Sequence, residues 1–254
     1  MARLYILPAA LAAFLLTGMA PPAAAKETHR TRYDVSLLGL PIGSAVLESR
    51  FEGRAFEIDG RFSSVGLARI FEPADGTVRV RGTVEADAAR PREYTLAYTS
   101  GEKRKTTAIR FDAAGVTKTE NRPASERHGR SWVPVERRHL QGVADPLSAL
   151  LLPVGEAAAV CRRTIRVYDG ETRVDLVLEP AAQAQAMAGA SVTCRAHFRP
   201  VAGYRRDHSS IAYLRDRSRI LVGFRKVEGR NLYSPVEATI ATKIGTVHIK
   251  ARPM

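Results

Sequence analysis

Apolar and polar side chains alternate along much of the chain. Over residues 54–62, Phe56, Ile58, Gly60 and Phe62 fall on one face, and Glu57, Asp59 and Arg61 on the other. A period of two marks a strand with one face buried. Residues 77–84 repeat it, with Val78, Val80 and Val84 opposite Arg79 and Arg81. Residues 93–99, 106–111 and 116–120 continue the series, and Ser100-Gly101-Glu102 and Asp112-Ala113-Ala114-Gly115 between them have hairpin-turn composition. A second block starts at Cys161. Its strands 164–168 and 172–178 flank Asp169-Gly170, a pair suited to a primed turn, and 191–199, 220–227, 234–242 and 246–252 follow, with a turn at Gly245. The Ala-rich stretch 183–190 reads equally as helical or loose.

Between the blocks, residues 121–138 are polar and Arg-rich, a loop holding Trp132. Residues 145–152 then predict one short helix. Asp145 caps it, Pro146 suits its first position, Leu147, Leu150 and Leu151 make an apolar stripe, and Pro153 and Gly155 end it. Two turns do not stand alone, so these leucines must plug into the sheet. The expected fold is mainly β, an antiparallel meander forming an open curved sheet or partial barrel around one short helix.

At the N-terminus, Met1 and Arg3 precede an apolar run at residues 4–20, then Pro21, Pro22 and Ala23-Ala24-Ala25. This is the pattern of a secretory leader cleaved after Ala25, leaving residues 26–254 as a single exported β-rich domain. No later apolar run is long enough to span a bilayer as a helix. Export changes the meaning of the cysteines. There are two, Cys161 and Cys194, and in an oxidising compartment a pair most simply forms one disulfide, free thiols being the alternative. Strand parity places Cys161 with Ile165 and Val167, and Cys194 with Val192, Ala196 and Phe198, so both sulfurs are expected on apolar faces.

Several of these segments together resemble a known family. Tyr33-Asp34-Val35-Ser36-Leu37 with Gly39 and Gly43, Asp145-Pro146-Leu147-Ser148-Ala149-Leu150, and Cys161 with Val167-Tyr168-Asp169-Gly170 carry the likeness. Cys194 followed by Ala202-Gly203-Tyr204, and the closing hairpin from Pro235 to Ile249, extend it. In this order and spacing they resemble the domain of unknown function 3108 family of Gram-negative envelope proteins. The resemblance implies a periplasmic β-rich domain with no established activity. More distantly, exported open sheets around a helix are similar to lipoprotein-carrier folds, a likeness of fold and not of function.

No catalytic constellation emerges. A Gly-x-Ser-x-Gly elbow is absent. Ser100-Gly101-Glu102-Lys103 matches Ser-x-x-Lys but lies in a turn without the accompanying motifs, and Cys194 is better explained by pairing than as a nucleophile. The six histidines (His29, His128, His139, His197, His208, His248) lack metal-ligand spacing. No metal, no cofactor and no enzymatic activity are expected.

Charge adds one more expectation. The 254 residues hold 39 Lys+Arg against 26 Asp+Glu, a net +13, with 45% hydrophobic and 7% aromatic residues. That is too apolar for a disordered polyelectrolyte. Arginine dominates, 32 against 7 lysines, as a GC-rich genome alone would produce. Read functionally, Arg205, Arg206, Arg215, Arg217 and Arg219 form an anionic-partner surface, because Arg forks pair phosphate bidentately. Export excludes nucleic acid. The expected partners are an anionic or amphipathic envelope lipid or polymer, with peripheral membrane contact, or an envelope protein or the cell wall.

Overall fold

The structure, a computed structural model, describes residues 26–127 and 129–254, apart from the side chain of Leu67. The expected leader, its cleavage point after Ala25, and His128 lie outside the described residues.

Seven strands make up the first half: β1 (Lys26–Leu37), β2 (Leu40–Glu52), β3 (Ala55–Ser64), β4 (Ala74–Val84), β5 (Ala89–Ser100), β6 (Lys103–Phe111) and β7 (Val116–Arg122). The second half holds β8 (Leu152–Pro153), β9 (Thr164–Tyr168), β10 (Arg173–Pro180), β11 (Val192–Ala202), β12 (Ile220–Lys226), β13 (Leu232–Thr242) and β14 (Gly245–Pro253). Every pairing between them is antiparallel, and the order is β7-β6-β5-β4-β3-β2-β1-β14-β13-β12-β11-β10-β9, with β8 attached to β13. Each half is a meander, and the first and last strands join the halves, from Thr31 opposite Pro253 to Leu37 opposite Val247.

The alternation decides which face is buried. Phe56 and Ile58 on β3, Val78 and Val80 on β4, and Tyr94 on β5 point inward into one apolar cluster with Phe51, Ile109 and Leu232. A second cluster gathers Ile165, Leu178, Ala196, Ile220 and Phe224. The intervening positions face outward and carry charge. There Arg50 donates to Glu48 at 3.0 Å, to Glu57 at 3.2 Å and to Asp59 at 2.8 Å, tying β2 to β3 across the strands.

The edge strands β7 and β9 are not laddered to each other, so the sheet stays open. Side chains clasp the gap instead. Glu171, in the β9–β10 turn, accepts from Lys105 of β6 and from Arg127 at 2.9 Å, and Asn121 Nδ2 of β7 donates to the Gly170 carbonyl at 2.9 Å. Burial pushes the Glu171 carboxyl up, but Lys105 and Arg127 outweigh it and hold it below its ordinary value. The loop after β7 also threads this gap: Ala144 N donates to Arg166 O at 3.0 Å and Tyr168 N to Ala144 O at 2.9 Å.

The structure departs from the expected elements at several points. The predicted helix over 145–152 is a single 3-10 turn at Ser148–Leu150, and Leu151 already leaves it in an extended conformation. Leu152 then pairs with Tyr233 as β8, so the chain turns extended before a second helical turn can form. Among the described residues, short α-helices form elsewhere: α1 (Gly66–Phe71), α2 (Ala157–Val160) and α3 (Ser209–Asp216). Cys161 caps the C-terminus of α2 rather than sitting on a strand. The Asp169-Gly170 hairpin is a four-residue loop in which Asp169 Oδ1 accepts from the amides of Glu171 at 2.9 Å and Thr172 at 2.7 Å, an Asx turn in place of a two-residue turn. Residues 183–190 hold only a 3-10 turn at Gln183–Gln185.

Candidate functional site

The inward face of the sheet is not filled throughout. Beside the 147–151 turn lies a cleft of about 520 Å³, within the range of small-molecule sites, roughly 300–1,000 Å³. Tyr33 and Val35 of β1 and Ala45 and Leu47 of β2 form one wall, and Val222 of β12, Ala238 and Ile240 of β13 and Ile249 of β14 the other. Most of these inward side chains remain half-buried, whereas their neighbours Phe51, Ile58 and Val80 are fully packed. The difference marks a gap in packing, since a filled interior leaves few voids larger than a water molecule.

The three leucines expected as a plug are carried on a 3-10 turn and not on a helix. Leu147, Leu150 and Leu151 all line the cleft, and Leu151 also joins the first apolar cluster. Asp145 fixes the turn: its Oδ1 accepts from the amides of Leu147 at 2.9 Å and Ser148 at 3.1 Å. Asp145 is fully buried yet does not line the cleft, so it acts as a cap. Burial raises its carboxyl above the ordinary 3.8, the amide hydrogen bonds opposing this only in part.

A pH dependence follows. The folded chain holds the Asp145 proton more tightly than the unfolded chain. The resulting stabilisation is complete below the unfolded value near 3.8 and is lost as pH rises through the folded value. Asp145→Asn keeps the acceptor oxygen and removes the titration. Chemical denaturation across a pH series should therefore show wild-type stability falling relative to Asp145→Asn from acid toward neutral pH. A constant difference would refute the assignment.

Polar groups gather at one end of the cleft. Arg230 lies 4.5 Å over the Phe51 ring and donates to Glu27 at 2.7 Å, while His29 meets Phe51 edge-on at 6.0 Å. Tyr33 donates to the Pro235 carbonyl at 3.0 Å, and burial, opposed by Arg225, pushes its hydroxyl up to about 12, so it stays a donor at neutral pH. Among the described residues no group of three His, Cys, Asp or Glu side chains could hold a metal ion.

Cys161 and Cys194 form the expected disulfide, buried in the second cluster. The five arginines lie around α3, none of them lining the cleft. Arg205 pairs with Asp207 at 3.0 Å and Arg215 with Asp216 at 2.7 Å, while Arg206, Arg217 and Arg219 are exposed with no carboxylate within 4.0 Å among the described residues. Reasoning from the sequence missed the β1 and β2 walls of the cleft. Their inward positions mix Thr31 and Ser49 with Val35 and Leu47, and outward Val46 blurs the alternation.

No curated protein matches the chain in sequence. Among solved structures it is similar to a beta-barrel-like protein of domain of unknown function DUF1849 from Brucella abortus, at 10% identity and a TM-score of 0.46, over 91% of this chain and 98% of that one. The profile of the family described as "Protein of unknown function (DUF3108)" matches residues 32–252, nearly all of the β1–β14 sheet, and the chain belongs to that family.

Proposed function

We propose that this is a non-catalytic periplasmic protein of the cell envelope that holds an amphipathic ligand in the cleft. The supporting observation is the cleft itself: an unfilled apolar space of about 520 Å³ bounded by Leu47, Val222, Ile240 and the Leu147–Leu151 turn. An unfilled apolar interior costs a protein stability unless an occupant takes its place. The walls suit an acyl or comparable hydrocarbon chain. Tyr33 is already engaged with Pro235, while His29, Arg61 and Glu237 among the lining residues offer polar partners for the head of an amphipathic ligand. The leader pattern at residues 1–25 and the disulfide support the compartment.

Organic extraction of protein purified from the envelope, followed by mass spectrometry, should recover a lipid in stoichiometric amount, and a fluorescent fatty-acid probe should compete for the site. Ala238→Trp, which projects an indole into the cleft, is expected to weaken probe binding about tenfold, about 1.4 kcal/mol, with unfolding still cooperative. Absence of both a co-purified lipid and probe binding would sink the proposal.

A further inference from the structure

Five large apolar side chains stand in solvent at one end of the sheet. Leu38 and Leu40 lie at the β1–β2 hairpin, Ile70 and Phe71 end α1, and Ile244 lies in the β13–β14 turn, all between 56% and 84% exposed. Strand order brings the three segments side by side. Leu38 N donates to Thr246 O at 3.4 Å, and Val65 N, just before α1, donates to Ile42 O at 3.1 Å. Isolated exposed apolar residues are ordinary, but a contiguous group marks an interaction surface.

Cations border the group. Lys243 Nζ donates to Ser209 Oγ of α3 at 3.0 Å, and Ala241 N donates to Arg219 O at 3.0 Å, so Arg217 and Arg219 lie beside the Ile244 tip. On the other flank the β5–β6 hairpin brings Lys103 and Arg104, its Gly101 N donating to Pro73 O at 2.9 Å just beyond α1. None of these five has a carboxylate within 4.0 Å among the described residues. Acidic groups stand at the same end but are engaged or outnumbered: Glu72 is held by Ser100 Oγ at 2.7 Å, Asp75 by Arg69 at 3.0 Å and Asp216 by Arg215 at 2.7 Å, beside Glu102.

Leu38 adds an independent observation. It sits at φ +51, followed by Gly39 at φ +82, the left-handed pair of a turn that favours Asn-Gly. A leucine there strains the backbone and exposes its side chain, so it serves the hairpin poorly and an external apolar contact well.

We propose that this end of the sheet docks on an anionic lipid bilayer, with Leu38, Leu40, Ile70, Phe71 and Ile244 entering the headgroup–acyl boundary and Lys243, Arg217, Arg219, Lys103 and Arg104 resting on lipid phosphates. The cationic border is what favours a bilayer over an uncharged apolar partner. The surface is distinct from the cleft walls, since none of its ten residues lines the apolar cleft.

Flotation with vesicles of phosphatidylcholine alone, or containing phosphatidylglycerol, tests the proposal on the purified protein. Binding should require phosphatidylglycerol and weaken with added salt. Ile70→Ser/Phe71→Ser should lose about tenfold or more in vesicle affinity, and Arg219→Glu/Lys243→Glu should lose the preference for phosphatidylglycerol. Met254→Ser, which removes an exposed apolar side chain at the opposite end of the sheet, should bind like the parent. Failure of the parent to bind, equal binding by Ile70→Ser/Phe71→Ser, or loss of self-association rather than of vesicle binding in that variant overturns the proposal. Because this assay involves no cleft ligand, its failure would leave the cleft reading standing.

Discussion

Replacing both cysteines, Cys161→Ala/Cys194→Ala, is expected to lower the unfolding free energy by about 4 kcal/mol, as the chain-entropy relation gives for a loop of this size. The two residues are 33 apart in sequence. The segment they tie down has few other anchors. It comprises the four-residue α2 and the residues leading into β9, with Leu178 N to Arg163 O at 2.9 Å among its backbone hydrogen bonds to the sheet. Both cysteines lie in the centre of the second apolar cluster, beside Val160, Ala196 and Phe224. Loss of the bridge therefore frees the unfolded chain and also leaves two small gaps in packed surroundings. Urea denaturation of the double variant against the oxidised parent measures the effect, and the parent unfolded in reductant should match the variant. A difference below about 1 kcal/mol would show that the cluster alone holds the segment, against the entropy argument.

Gly203→Ala is the second large effect, expected to cost about 3 kcal/mol or more. Gly203 has φ +77, and a Cβ added there would lie 1.8 Å from the Glu171 carbonyl oxygen and 2.9 Å from Thr172 Cα. Left-handed backbone alone costs a non-glycine residue about 1–2 kcal/mol. Displacing a packed backbone adds about 1–3 kcal/mol. The obstruction cannot rotate away, because it is main chain held in the Asp169 Asx turn. Arg127 Nη1 also donates to the Gly203 carbonyl at 2.9 Å, so a shift there disturbs the clasp on Glu171 as well. Gly101→Ala is the matched control: its φ is +56 and no atom lies within 4 Å of the added Cβ, so it should lose only the backbone share. Equal losses from the two substitutions in thermal or urea denaturation would rule out the close approach as the cause.

The strands of residues 54–120 were legible because their outward positions carry charge. Glu57, Asp59, Arg61, Arg79 and Arg81 leave no doubt which face is wet. The cysteine pairing was legible from the leader pattern at residues 1–25 taken with a count of two. The helix over 145–152 was misread because Asp145 and Pro146 open a 3-10 turn with the same residues that open an α-helix, and only the extended Leu151 separates the two. The helix that did form among the arginines, α3, buries none of its residues, so it left no apolar stripe to find. The cleft was beyond local reading for another reason. Leu47 and Ile240 line one space only because β1 and β14 join the two meanders, and a seam between distant segments writes no local pattern. For the same reason the apolar rim, assembled from the β1–β2 hairpin, the end of α1 and the β13–β14 turn, could not be read segment by segment.

That seam also sets an order of assembly. β1 to β7 can pair neighbour by neighbour as they are made, and β9 to β13 likewise, since each ladder there links strands close in sequence. The β1–β14 ladder, with Thr31 opposite Pro253 and Tyr33 opposite Ala251, has a sequence separation close to the whole described chain and demands the greatest loop-closure entropy. The long inward strand β1 thus keeps one edge unsatisfied until the last strand emerges. During synthesis the interval before β14 appears is when the chain is most open to pairing with another copy of itself.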